Sequence, residues 1–196
     1  PRHMPQIHGI AAFKKTMQAT RSWQLRIPGN SASVLIDSPA SIGHNDLREL
    51  TRDATSIRVP VLPSSMDILA ASRCIADLLL VAKVARRDRK LAVVANRTRK
   101  NTKSFARLMR FLDSLGIPII AVLRDSQNFV HAAENGVGLC EMQPSRVRPD
   151  VEQIDRIVRW LEAWPERRRD STATTSATRQ PLSSSSILRR PQFGSA

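Results

Sequence analysis

Between positions 33 and 164 the apolar residues follow two alternating spacings. Four short, continuous runs rich in β-branched residues stand at Ser33–Asp37, Ser56–Leu62, Leu91–Ala95 and Ile117–Leu123. Runs of that length and composition predict buried strands. Pro60 and Pro118 fall in two of them and should sit at strand ends or edges, because proline has no N–H to give to a ladder. Between the runs, apolar residues recur every three or four positions. Ile68, Ala71, Ile75, Leu78, Leu79 and Ala82 form one such stripe, with Ser64 or Ser65 as N-cap and Asp67 in the first turn. Phe105, Leu108, Met109, Leu112 and Leu115 form a second, closed by Gly116 as a C-cap. Val151, Ile154, Ile157, Val158, Leu161 and Trp164 form a third. All three read as helix faces turned to a core.

A strand–helix–strand–helix rhythm with short loops predicts an α/β fold: a mostly parallel sheet with helices on both faces. Ligands of such sheets bind at the carboxyl ends of the strands. Asp37, Asn96 and Arg124 all fall just past expected strands, at that edge. After about Pro165 the chain turns to Ser, Thr, Pro and Arg with few apolar residues. Such a tail cannot offset its ordering entropy, so it is expected to be disordered. Three segments result: 1–32, 33–164 as the α/β domain, and 165–196 as a basic tail. In the first, Ile10–Trp23 has a helical pattern and Arg26–Ser31 a loop composition.

Charge changes the picture. The chain has 31 Lys and Arg against 17 Asp and Glu, a formal net charge of +14. So large an excess points to a polyanionic partner, with a solvated basic surface as the plainer reading. Lys103, Arg107 and Arg110 recur at helical spacing opposite Phe105, Leu108 and Leu112. Arg86, Arg87, Arg89 and Lys90 form a second cluster, expected at a helix end. With no Tyr and few Phe, base stacking has little to work with, and phosphate contacts should dominate. The two cysteines, Cys74 and Cys140, lie far apart and outside any CxxC spacing, so free thiols are expected. No run approaches the roughly 18 apolar residues of a membrane span.

The candidate chemistry lies at the strand ends. A strand ending Val34–Asp37 and followed by Ser38, Pro39 and Ala40 is a device for holding magnesium beside a phosphate. Val61–Asp67, Val93–Arg97 and Ile119–Ser126 follow in order, and Phe129–Gly136 opens the next helix. This ordered set resembles the ParA/MinD family of deviant-P-loop ATPases, most closely its ParA branch, from about Ile7 to Trp164. The resemblance implies that Asp37 holds Mg2+ through water and that Ser38 and Pro39 respond to the γ-phosphate of ATP. It implies that Asn96 reads the adenine and that Arg97 and Arg124 flank it. Asn96 capping a turn and Asp37 capping the next helix are the structural alternatives. For the whole protein it implies an ATP-dependent homodimer that binds non-specific DNA and a ParB-like adaptor protein. That protein would be cytoplasmic, at the nucleoid, with no membrane role, and would partition plasmids or chromosomes.

The departure from the family is as clear. Its phosphate loop needs a glycine directly before lysine, and none of the seven glycines here precedes a lysine. The expectation is therefore a domain lacking its first strands and phosphate loop, with some forty or more residues missing upstream, judged from the roughly 30-residue βαβ unit. Such a chain should bind ATP and Mg2+ only weakly and show no significant ATPase activity. The alternative is a non-enzymatic basic DNA-binding or regulatory protein derived from the same fold. A dinucleotide fold built on Gly136-Val-Gly138 fails, because the third glycine is lacking and the pair follows a helix pattern.

Overall fold

The computed structural model describes residues 31–38 and 42–163. The chain divides into two compact units, Pro1–Ser41 and Ile42–Ala196. In the first unit the described residues form neither helix nor strand, and Val34, Leu35 and Ile36 are exposed. The expected buried strand at Ser33–Asp37 is therefore corrected. A buried strand needs a neighbour for its N–H and C=O groups, and none of the described strands pairs with this segment. Pro39, the helix pattern at Ile10–Trp23 and the tail after Pro165 lie outside the described residues.

The second unit is an α/β layer structure. Its elements run α1 (His44–Arg52), β1 (Ile57–Val61), α2 (Ser65–Ala76), β2 (Leu91–Thr98), α3 (Lys103–Ser114), β3 (Ile119–Arg124), α4 (Gln127–Glu134) and α5 (Pro144–Glu162). The three strands lie in the order β1-β2-β3 and both pairs are parallel. Ile57 pairs with Leu91 and Val61 with Ala95; across the other side Val93 pairs with Ile119 and Thr98 with Arg124. A parallel sheet with a helix in each crossover is consistent with a P-loop NTPase-like fold.

β2 is the middle strand, and Leu91 to Ala95 are all buried. Alternate residues serve opposite faces. Leu91, Val93 and Ala95 join Leu47 of α1, Ala71 and Ile75 of α2, and Leu108 and Leu112 of α3 in one core. Val94 turns the other way, to Ala121 and Leu123, with Ile154 and Ile157 of α5 packed on them. Helices thus cover both faces, as the rhythm of the sequence requires.

Pro60 sits inside β1 without disturbing it. Ile57 donates its N–H to the Lys90 carbonyl at 2.7 Å. With a period of two, Val59 and Val61 also face β2, while position 60 faces away. The missing proline N–H therefore falls on the outer edge of β1, where the ladder to β2 does not need it. Pro118 precedes β3 and still contributes its carbonyl, which accepts from the Val93 N–H at 2.9 Å.

The helix starts follow their caps. The Ser64 hydroxyl accepts from the Asp67 N–H at 3.0 Å, Thr102 from Phe105 at 3.2 Å and Ser126 from Asn128 at 3.2 Å. α2 runs on into a wider π-helical turn at Asp77–Val81, which extends its apolar stripe to Leu78. α3 closes at Leu115, and Gly116 takes the left-handed φ of 60° that ends many helices. α5 begins with Pro144, a natural first helical residue, and so starts earlier than the stripe from Val151 suggests.

Candidate functional site at the carboxyl edge of the sheet

β1, β2 and β3 all end at one edge, as parallel strands must. There the loop after β2 and the loop after β3 are tied together. The Thr98 hydroxyl donates to the Leu123 carbonyl at 2.9 Å, and the Asp125 N–H donates to the Thr98 carbonyl at 2.9 Å. Both residues are thereby fixed by backbone contacts at the strand tips.

Asn96 and Arg97 do not lie past the strand as expected. β2 continues to Thr98 through an irregular register between Ala95 and Thr98. Arg97 takes a φ of 50°, a left-handed conformation uncommon for a residue with a side chain. The Asn96 side-chain carbonyl accepts from the Arg97 N–H at 3.0 Å, so Asn96 stabilises this bend. That is the turn-capping alternative for Asn96.

Two arginines converge on Asp125. Arg99 holds it at 2.7 Å and Arg97 at 3.5 Å. The hydrogen bond from Arg99 leads in holding the Asp125 carboxyl below the usual carboxylate range, and Arg97 adds to it. Both arginine side chains nonetheless stay largely in water, with 66% of Arg97 and 76% of Arg99 exposed.

Arg124, the last residue of β3, turns to the other face. Its guanidinium donates twice to Asp150 of α5, one contact being 2.9 Å. Asp150 is fully buried. Ser126 donates to it at 3.1 Å and the Asn128 amide at 2.7 Å, so each carboxylate oxygen is engaged. The Arg124 hydrogen bond, helped by Asn128 and Ser126, holds the Asp150 carboxyl below its ordinary value despite burial, and raises the Arg124 guanidinium in turn. The Arg124 N–H is taken by Gln153 at 2.9 Å. Arg124 thus fastens α5 to the end of β3.

The basic residues divide between the two edges. Lys103 opens α3 at the carboxyl edge, with Arg107 and Arg110 following on the same helix, all exposed. Arg107 donates to the Ser65 hydroxyl at 2.6 Å, bridging α3 to the start of α2. The cluster expected at a helix end instead forms a short 3-10 turn, Arg86–Asp88, leading into β2 at the opposite edge. Arg89 is left-handed there, with a φ of 51°. Lys90 is half-buried and donates to the Thr51 carbonyl at 3.1 Å, so it serves α1. Arg86 and Arg89 are exposed.

Asp37 and Ser38 are exposed residues of the first unit, outside any element. Among the described residues no three His, Cys, Asp or Glu side chains come together as a metal cluster. Each residue assigned to the adenine meets a partner within the chain. Arg97 is engaged by Asp125, Arg124 by Asp150, and the Asn96 carbonyl by its own bend. Both cysteines are free, and no described helix is long and apolar enough to cross a membrane.

Sequence reasoning missed Asp125, Arg99 and Asp150. Asp150 left one signal: it stands on the helix face of Val147 and Ile154, where an acid is out of place unless paired. Asp125 left only the arginines two residues apart, and nothing local says that a carboxylate 26 positions on will meet them.

The fold defines an α/β protein whose polar residues gather at the carboxyl edge of a parallel sheet. In amino-acid sequence the chain is similar to the maintenance of carboxysome distribution protein A of Halothiobacillus neapolitanus (strain ATCC 23641 / c2), 25% identical over 130 residues. That stretch is 66% of this chain and 59% of the relative, so the chain spans about three fifths of that protein's length. No family model and no solved structure matches the chain.

Proposed function

We propose that the chain is part of a ParA/MinD-type positioning protein, and that its described domain supplies a DNA-facing basic surface. The observation that carries this is the order of the motifs on the parallel sheet. Val61–Asp67 follows β1, Val93–Arg97 lies at the end of β2, and Ile119–Ser126 is β3 with the loop after it, in the order the resemblance implies. Similarity to a protein named for maintaining the distribution of another cellular body points the same way. Partitioning of a plasmid or chromosome, an ATP-dependent homodimer and a ParB-like adaptor belong to this reading of the whole protein.

Exposed Lys103, Arg107 and Arg110 on α3 suit the phosphate backbone, which needs cations at the surface and no sequence-reading groove. Helix electrostatics give no reason for this arrangement. α3 has no acid in its first turn and begins with a lysine, against the preference of the helix dipole. A surface that tolerates this cost is suited to an external anion.

One observation favours the second reading, a non-enzymatic DNA-binding protein of the same fold. Arg124, expected beside the adenine, is already committed to the buried Asp150 inside the chain. No nucleotide-dependent step is therefore assigned to it.

Fluorescence anisotropy on two unrelated duplexes tests the DNA reading. The full chain should bind both with equal affinity, and a large preference for one would contradict it. Titrating a full-length version with a fluorescent ATP analogue and Mg2+ separates the two readings, and on either reading this chain itself should bind weakly. Weak binding accords with a chain in which no glycine precedes a lysine, whereas low-micromolar binding would restore a nucleotide role.

A further inference from the structure

From Leu91 to Leu112 the chain contains no acid and six cations: Arg97, Arg99, Lys100, Lys103, Arg107 and Arg110. All six are exposed. They run without interruption from the end of β2, around the loop, and along the outer face of α3. The carboxylate that meets this run is Asp125, held from the neighbouring loop by Arg99 and Arg97. Asp125 itself is fixed, because its N–H is bonded to Thr98 and it follows the last residue of β3. Its carboxylate therefore occupies a set place in front of two arginines that are otherwise open to water.

We infer that the loop arginines Arg97 and Arg99 belong to the same polyanion-binding surface as α3, and that Asp125 is an internal competitor which a DNA phosphate displaces. This rests on the DNA-binding reading above and adds to it a means of restraint.

The chemistry is an exchange of one anion for another. A guanidinium presents several N–H donors in a planar fork that fits carboxylate and phosphate alike. Arg99 makes its contacts to Asp125 through Nε and Nη2. Both contacts go to one oxygen, Oδ2, and a backbone phosphate approaching the loop offers an acceptor of the same kind. Both arginines are largely in water and the Asp125 side chain is 24% exposed, so the pair is weaker than a buried one and exchange needs little energy. Asp125 also repels an incoming phosphate. Affinity in the wild-type chain is thus set below what the six cations alone would give. The Arg124–Asp150 pair does not share this property, because its carboxylate is sealed from solvent.

The experiment uses the full chain and a duplex of about two helical turns in a salt series followed by anisotropy. Asp125→Asn keeps the shape and removes the competing charge. It should tighten binding several-fold and steepen the log–log salt slope. Arg99→Ala should weaken binding, flatten the slope by about 0.9 and cancel most of the gain when combined with Asp125→Asn. Asp46→Asn removes an exposed acid from the first turn of α1 and controls for net charge. An equal gain from Asp46→Asn, or a gain from Asp125→Asn that persists in full without Arg99, would overturn the assignment. Wild-type protein gives a reading that does not depend on any variant folding: the Nε–H resonances of Arg97 and Arg99 should shift on adding duplex. If DNA binds and those resonances stay in place, the competitor role is wrong and the α3 surface stands alone. If the wild-type chain binds no duplex at all, the DNA reading itself fails, and this inference with it.

Discussion

Asp150 is a charge in a place built for apolar side chains, and its partners decide what it does. Breaking a buried ion pair leaves the remaining group without compensation. Here Arg124 keeps 44% of its side chain in water, so it can be rehydrated when Asp150 is removed. Asp150→Ala should therefore cost about 2 kcal/mol, below the roughly 3–5 kcal/mol typical of two buried partners. Urea denaturation near neutral pH reads this directly. The pH dependence follows from the lowered carboxyl. A depressed acid contributes stability that is fully present above its unfolded value, near about 3.9, and is lost as pH falls through the lower folded value. The gap between wild type and Asp150→Ala should hold from neutral pH to about 5 and shrink below about 4. A gap that stayed constant into strong acid would contradict the ion-pair account. At this scale the sequence is least legible. Asn96, Arg97 and Arg124 do fall near strand ends, but their partners come from other elements. Asp125 reaches Arg97 and Arg99, and Asp150 reaches Arg124, through tertiary packing that no local spacing encodes.

Elements are easier to read, because periodicity reports burial. Three of the four apolar runs are paired parallel strands, and the Ser64 and Gly116 caps stand where short-range chemistry puts them. The fourth run, Ser33–Asp37, has the composition of a strand but pairs with none of the described strands. α1 leaves little pattern because only Leu47 and Thr51 of its nine residues are buried. The glycines offer a test at this scale. At Gly116 a Cβ would meet only the tip of the Arg86 side chain, at 3.4 Å, but the φ of 60° strains any side-chain-bearing residue. Gly116→Ala should cost about 1 kcal/mol. Gly138 has an ordinary φ of −79° and no closer contact than Glu141 at 3.9 Å, so Gly138→Ala should be nearly neutral. Thermal melts of the two variants check the contrast, and equal destabilisation would mean that crowding, not backbone conformation, sets the cost.

For the molecule as a whole, the α/β layering and the basic excess are both plain in the sequence, while the arrangement of that charge is not. Lys103, Arg107 and Arg110 line α3 from the carboxyl edge, and the Arg86–Lys90 turn stands at the other edge. Gly116 brings the end of α3 beside Arg86, so the helix lies between the two groups. In the proposed function this helix face, and not basic composition in general, takes up DNA. A salt series on the full chain, the Lys103→Ala, Arg107→Ala, Arg110→Ala triple variant, and a chain ending at Pro165 tests it directly. The triple variant should bind all duplexes more weakly and flatten the salt slope by up to about 2.7, at about 0.9 for each phosphate left unneutralised. Removing the residues after Pro165 should leave most of the slope in place. An unchanged slope in the triple variant, with binding abolished by the shortened chain, would contradict the account.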